Sequence, residues 1–219
     1  LIPKDRPIVL RAFMDEAGTH AIAVGFPQRV HLAFDAEQVR FAHAWRGRFL
    51  DAQGTWFERF APPAKPLGEK QISLPPGVPF AMFNDEQFPH PSFDAKDVTY
   101  QFLGYRLDKS GVPTFLYRFG RFDIEDQIQP TDDGQLSRRW TITDRMPEQT
   151  PASLWLRGHV GRTLKYESPM SYTNDAGLTV SVSQNSGHAG ELNGLEGRTE
   201  WLIPLKIERK KSIEVRYRW

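Results

Sequence analysis

The chain has 219 residues, a formal net charge of +1 and no cysteine. Disulfides, thiolate metal sites, a cysteine nucleophile and c-type haem attachment within the chain are therefore excluded. The near-neutral charge gives no bias towards nucleic acid. Seventeen glycines, seventeen prolines and 12% aromatics suit a many-stranded antiparallel protein, punctuated at short intervals.

Residues 8–13 predict a first strand and 20–24 a second, which ends at the turn Gly25, Phe26, Pro27. Val30, Leu32 and Phe34 alternate with polar or small neighbours, and Val39, Phe41, His43 and Trp45 do the same. Each set predicts a half-buried strand, and together they predict a meander. Residues 49–60 are less regular. Six prolines between 62 and 79 then break the chain, so 61–91 reads as loop with short extended pieces. A segment that long and irregular is either functional or a cover over the core.

From 97 onward the alternation strengthens. Val98, Tyr100 and Phe102 lead into a hairpin at 108–111, with Gly111 where positive φ is needed, and 114–119 returns. Residues 122–129 and 136–143 flank a second hairpin signal at Asp132, Asp133, Gly134. Shorter strands are predicted at 153–158 and 163–166. Leu178, Val180 and Val182 alternate, a Gly-rich loop covers 185–197, and 201–207 follows as a strand. Ile213, Val215, Tyr217 and Trp219 point one way along the last strand, with Glu214, Arg216 and Arg218 opposite. Six basic and two acidic residues between 206 and 219 thus read as the solvated face of a strand, or as a patch for an acidic partner or anionic lipid.

The expected architecture is all-β: an antiparallel β-sandwich or supersandwich with long Pro-rich loops and little helix. It spans 1–219 as one domain, with an N-terminal subregion 1–60, a Pro-rich connection 61–96 and the main sandwich 97–219. No apolar run is long enough to span a bilayer as a helix.

No Walker loop, G-x-G-x-x-G, H-E-x-x-H or G-x-S-x-G motif occurs. The six histidines (20, 31, 43, 90, 159 and 188) form no short metal cluster. No cofactor, metal site or catalytic residue is assigned. The most distinctive stretch is Trp45, Arg46, Gly47, Arg48, Phe49, Leu50, Asp51, continued by Trp56 and Arg59. Flat apolar rings beside Arg46 and Asp51, which can pair, suit a sugar with apolar faces and polar edges. They equally suit a protein interface anchored by Trp and Arg, or an aromatic core closed by an Arg–Asp pair. His20 or His188 would supply acid/base chemistry in the sugar reading. Arg118, opposite Phe115, Tyr117 and Phe119 on its strand, would make one sheet face basic. The candidate binding residues are therefore Trp45, Arg46, Asp51, Trp56, His20 and Arg118.

Two pairs of stretches, 19–27 with 44–51 and 102–107 with 113–119, resemble an uncharacterised β-rich domain of large secreted bacterial proteins that also carry c-type cytochrome modules. The resemblance implies a periplasmic or extracellular setting in an electron-transfer neighbourhood. It assigns no catalytic residue. The function expected is a non-catalytic domain docking on a larger protein assembly, such as a membrane-bound respiratory or photosynthetic complex. The alternative is carbohydrate binding or processing.

Overall fold

The computed structural model describes residues 1–53, 62–82, 99–148, 152–183, 190–195 and 197–219. Among them the chain is all-β, and every strand pairing is antiparallel. Strands β2 (Gly18–Gly25), β3 (Val30–Asp35) and β4 (Arg40–Arg46) form the expected meander, and β1 (Ile8–Met14) extends it by pairing with β2. The short pieces β5 (Leu50–Asp51) and β6 (Lys65–Pro66) pair with each other, and β7 (Glu69–Ser73) joins β4 as the fifth strand of the meander sheet. β8 (Phe80–Ala81) follows. The segment from 62 to 82 is thus less a loop than expected, since β7 completes a sheet.

The C-terminal part supplies β9 (Tyr100–Leu107), β10 (Pro113–Phe119), β11 (Phe122–Pro130), β12 (Leu136–Asp144), β13 (Ala152–Gly161), β14 (Leu164–Ser168), β15 (Ser171–Asn174), β16 (Thr179–Val182), β17 (Glu191–Leu195), β18 (Arg198–Ile207) and β19 (Lys210–Arg218). β17 lies within the stretch 185–197 that was expected to be loop throughout. Eight strands form one large sheet, ordered β14-β15-β16-β19-β12-β11-β10-β9. Four form a smaller one, ordered β17-β18-β13-β8.

One hydrophobic cluster draws on all three sheets. Ile22, Leu32 and Phe34 come from the meander, Phe115, Trp140 and Val215 from the eight-stranded sheet, and Leu156, Ile203 and Leu205 from the four-stranded one. Phe34 stacks on Phe115 across the layers, with ring centroids 3.9 Å apart. The subregions before and after residue 61 therefore share a core.

Two features depart from simple half-burial. β3 is buried along its whole length. Its Val30, Leu32 and Phe34 face the main core, while Ala33 joins a second cluster on the other side of the meander sheet. That cluster is rich in alanine (Ala12, Ala21, Ala23, Ala42) and is closed by Phe49, Leu50 and Ala64 around the β5–β6 pair. Small side chains let this covering segment approach the sheet closely. At Gly25 the Phe49 ring leaves no room for a side chain, since a Cβ there would meet it at 2.7 Å.

The second feature is a β-bulge in β4. Ala33 pairs with His43 but Phe34 pairs with Phe41, so Ala42 is an extra residue. An inserted residue reverses the facing of everything beyond it. Phe41 enters the main core, whereas Trp45 enters the alanine-rich cluster. The expectation that Phe41, His43 and Trp45 share one face is corrected by this bulge.

Candidate functional site

The five sequence-predicted residues that are described, Trp45, Arg46, Asp51, His20 and Arg118, do not converge. Trp45 is completely buried. Its ring stacks on Phe49 at 5.9 Å, nearly parallel, and its Nε1–H donates to the Phe49 carbonyl at 2.7 Å. The flat face expected to meet a partner or sugar is occupied from within. Arg46 does not pair with Asp51. It donates to the Gly134 carbonyl at 2.5 Å and lies over the Trp219 ring at 4.4 Å. Trp219 in turn donates to the Lys70 carbonyl at 2.6 Å. Arg46 is thus a clasp between the meander and the β11–β12 hairpin. Asp51 accepts from the Gln53 amide at 3.2 Å and borders a shallow depression of about 740 Å³ with Arg48, Leu50 and Leu67.

Arg118 lies on the outer face of the eight-stranded sheet, directly opposite Asp123, to which it donates at 3.1 Å. Arg106 and Glu125 form a two-pronged pair on the same sheet, at 2.9 and 2.7 Å. Across β9 to β11, therefore, the arginines of this face are paired with carboxylates. Trp56, His90 and His188 lie outside the described residues. His20 stands at the opposite end of the meander sheet from Trp45: β2 runs five residues from His20 to Gly25, whose row contains His31 and Trp45. At about 3.4 Å per residue the two ends are roughly 17 Å apart. The expected combination of tryptophan platform and His20 is therefore not assembled.

Three other histidines have structural roles. His31 accepts the Phe26 amide at Nδ1 and donates from Nε2 to the Gly47 carbonyl. His43 is held between Ser73 and Gln71. Burial lowers the pKa of both. His159 donates to the Leu178 carbonyl at 2.9 Å, and burial pushes its pKa down to about 4. Buried arginines are equally committed. Arg40 grips the carbonyls of Leu74, Pro75 and Glu16, and Arg157 those of Pro76 and Gly77. From two different sheets they pin the 74–77 segment at the seam. Burial, together with Arg198 and Arg40 nearby, lowers Arg157 to about 10 against the pull of Glu200. No group of three or more His, Asp or Glu suited to a metal ion occurs among the described residues.

The site that does assemble lies where two sheet edges meet. β1 is the outer strand of the meander sheet and β9 that of the eight-stranded sheet. At one end Arg6 and Pro7 lie against Gly111 in the β9–β10 turn. At the other end the edges part around a groove of about 330 Å³. Ile22, Ala36 and Phe102 form its apolar floor, and Arg11, Phe13, Thr19 and His20 its walls. Alternation in β1 places Arg11 and Phe13 on the same side as Val9, facing the other sheet, yet Phe13 remains 55% exposed. The meander simply reaches beyond the sheet it packs on.

Electrostatically the rim is sparse. The carboxylate of Glu37 lies 3.5 Å from His20 Nδ1, and Thr19 Oγ1 lies 3.2 Å from the same nitrogen. A nucleophile–base–acid relay needs the hydroxyl and the carboxylate on different ring nitrogens. Here they share one, so Thr19, His20 and Glu37 do not form such a relay, and Nε2 has no partner among the described residues. Arg11 has no carboxylate partner among the described residues. Of the groove residues the sequence pointed to His20 alone. Strand alternation puts Arg11 and Phe13 on one face, but nothing local marks β1 as an edge that overhangs.

Compared with family models, with curated proteins and with solved structures, the chain matches none. No helix among the described residues is long and apolar enough to cross a membrane.

Proposed function

We propose that this chain is a recognition domain that docks on a larger protein assembly through the groove between β1 and β9. The carrying observation is the half-exposed Phe13 ring beside the Arg11 guanidinium, which has no carboxylate partner among the described residues, over an apolar floor bounded by two sheet edges. An aromatic anchor with an adjacent arginine is the typical composition of an interface hot spot. The groove's volume lies at the lower end of the range for pockets that enclose a ligand group. Such a domain binds and positions without making or breaking bonds. The geometry at His20 supports that reading, because its two polar neighbours compete for one nitrogen. The exported, electron-transfer setting implied by the resemblance is the proposed context.

A photo-crosslinking residue at position 13 tests this reading in the native host. A discrete polypeptide adduct, lost when Arg11→Glu is added, is the expected result. No adduct, or one insensitive to Arg11, overturns it.

The second reading, carbohydrate binding, is favoured by one observation: Phe13 offers an exposed ring within the same groove as Arg11, Thr19 and His20. A glycan array followed by calorimetric titration decides between the two.

A further inference from the structure

β9 forms the outer edge of the eight-stranded sheet and pairs with β10 alone among the described residues. The Asp108 amide donates to the Val112 carbonyl at the hairpin end. Antiparallel bonding then alternates along the strand. It leaves the backbone groups of Tyr105 and Leu107 directed away from β10. Leu103 and Leu107 are 50% and 54% exposed. Edges usually carry protection against further pairing, such as lysine, proline or a bulge. β9 has no lysine or proline; its devices are Arg106, held by Glu125, and the bulge that leaves Leu103 without a counterpart, beside Gly104 at φ +123°.

Above this edge, Arg11, Phe13 and His20 of β1 and β2 face across the interlayer space into the groove. A strand laid beside β9 would occupy the layer that they overlook. It would pair with the outward backbone groups of Tyr105 and Leu107 and bury Phe13 in one step. Arg11 supplies the sign of the contact: an acidic side chain on the incoming strand would meet a guanidinium that has no carboxylate partner among the described residues.

We infer that the groove receives a short extended segment of a partner protein, added as a ninth strand beside β9, with an apolar side chain against Phe13 and Phe102 and a carboxylate on Arg11. This rests on the docking reading above and specifies its mode. Strand addition of this kind draws affinity from main-chain bonds and selectivity from alternate side chains.

The probe is an end-blocked, fluorescently labelled hexapeptide of sequence Thr-Val-Thr-Glu-Thr-Val, which puts valine and glutamate on one face of an extended strand, titrated by anisotropy against the full chain. Two control peptides replace glutamate by lysine, or methylate alternate backbone nitrogens. The glutamate peptide is expected to bind. Arg11→Glu and the lysine peptide should each weaken binding at least tenfold, and N-methylation on the pairing edge should abolish it. Hydrogen exchange on the same samples should show the outward amides of Tyr105 and Leu107 open in the free protein and protected with peptide. Binding that tolerates N-methylation, or amides already protected in the free chain, overturns strand addition. No binding of the glutamate peptide does so too. Crosslinks from position 13 that persist despite such a failure would leave the docking reading intact, whereas their loss removes both.

Discussion

Asp126 and Arg138 face each other inside the core, and the guanidinium donates to both carboxylate oxygens, at 2.9 and 2.6 Å. Tyr117 adds a third bond to Asp126, and Trp140 donates to the Tyr117 hydroxyl. Although burial opposes charge on Arg138, Asp126 and the nearby tyrosine hydroxyls hold its pKa above the usual value. Removing one member leaves a buried charge without its partner, which typically costs about 3–5 kcal/mol. Arg138→Met should therefore destabilise the fold by about that amount in urea denaturation. The double variant Asp126→Leu with Arg138→Met should recover much of the loss, and a double variant no better than the single would contradict this account.

Histidine burial makes stability depend on pH. The pKa of His159 is about 4 when folded, against 6.5 for the unperturbed side chain. The unfolded chain therefore binds more protons between those values, and stability falls as pH drops from about 6.5 towards 4. A shift of this size corresponds to roughly 3 kcal/mol at most. His31 and His43 act in the same direction, since burial lowers them too. Urea midpoints measured from pH 7 to 4 should decline, and His159→Gln should flatten the slope. An unchanged slope would assign the decline to other groups.

Trp45 separates packing from recognition. Its truncation to alanine opens a cavity beneath Phe49 and removes two hydrogen bonds. A loss of about 3–5 kcal/mol is expected. At a temperature where the variant remains folded, crosslinking through position 13 should be unaffected. A large loss of crosslinking with little loss of stability would return Trp45 to the binding surface.

Arg118 is the corresponding surface control. It is partly exposed and paired with Asp123, and exposed pairs contribute little. Arg118→Ala should change stability by less than about 1 kcal/mol, and peptide binding in the groove by less than twofold. A strong effect on binding would move the interface to the outer sheet face.

The strand pattern was legible because side chains in a sheet alternate, so Phe115, Tyr117 and Phe119, or Ile213, Val215 and Tyr217, declare their common face without knowledge of their neighbours. Alternation does not reveal where it slips. Nothing around Ala42 announces a bulge, so His43 and Trp45 were placed on the wrong side. β17 was hidden because Asn193 and Gly194 interrupt the apolar rhythm at a sheet edge, where partners matter more than propensity. The groove was illegible for a similar reason. Arg11, Phe13 and Phe102 belong to strands far apart in sequence, and their shared exposure depends on how far one sheet extends past another. Sequence drew attention to tryptophan, but the largest apolar rings were needed inside.

β19 lies between β16 and β12, in the middle of the large sheet. As the polypeptide leaves the ribosome, β9 to β12 can zip together through short hairpins, and so can β14 to β16. Each group then presents a naked flank until residues 210–218 arrive to bridge them. Closure of that gap depends on distant contacts and should be slow. During that interval the nascent protein is most vulnerable to joining a neighbour's unfinished sheet, and chaperone demand should be concentrated there.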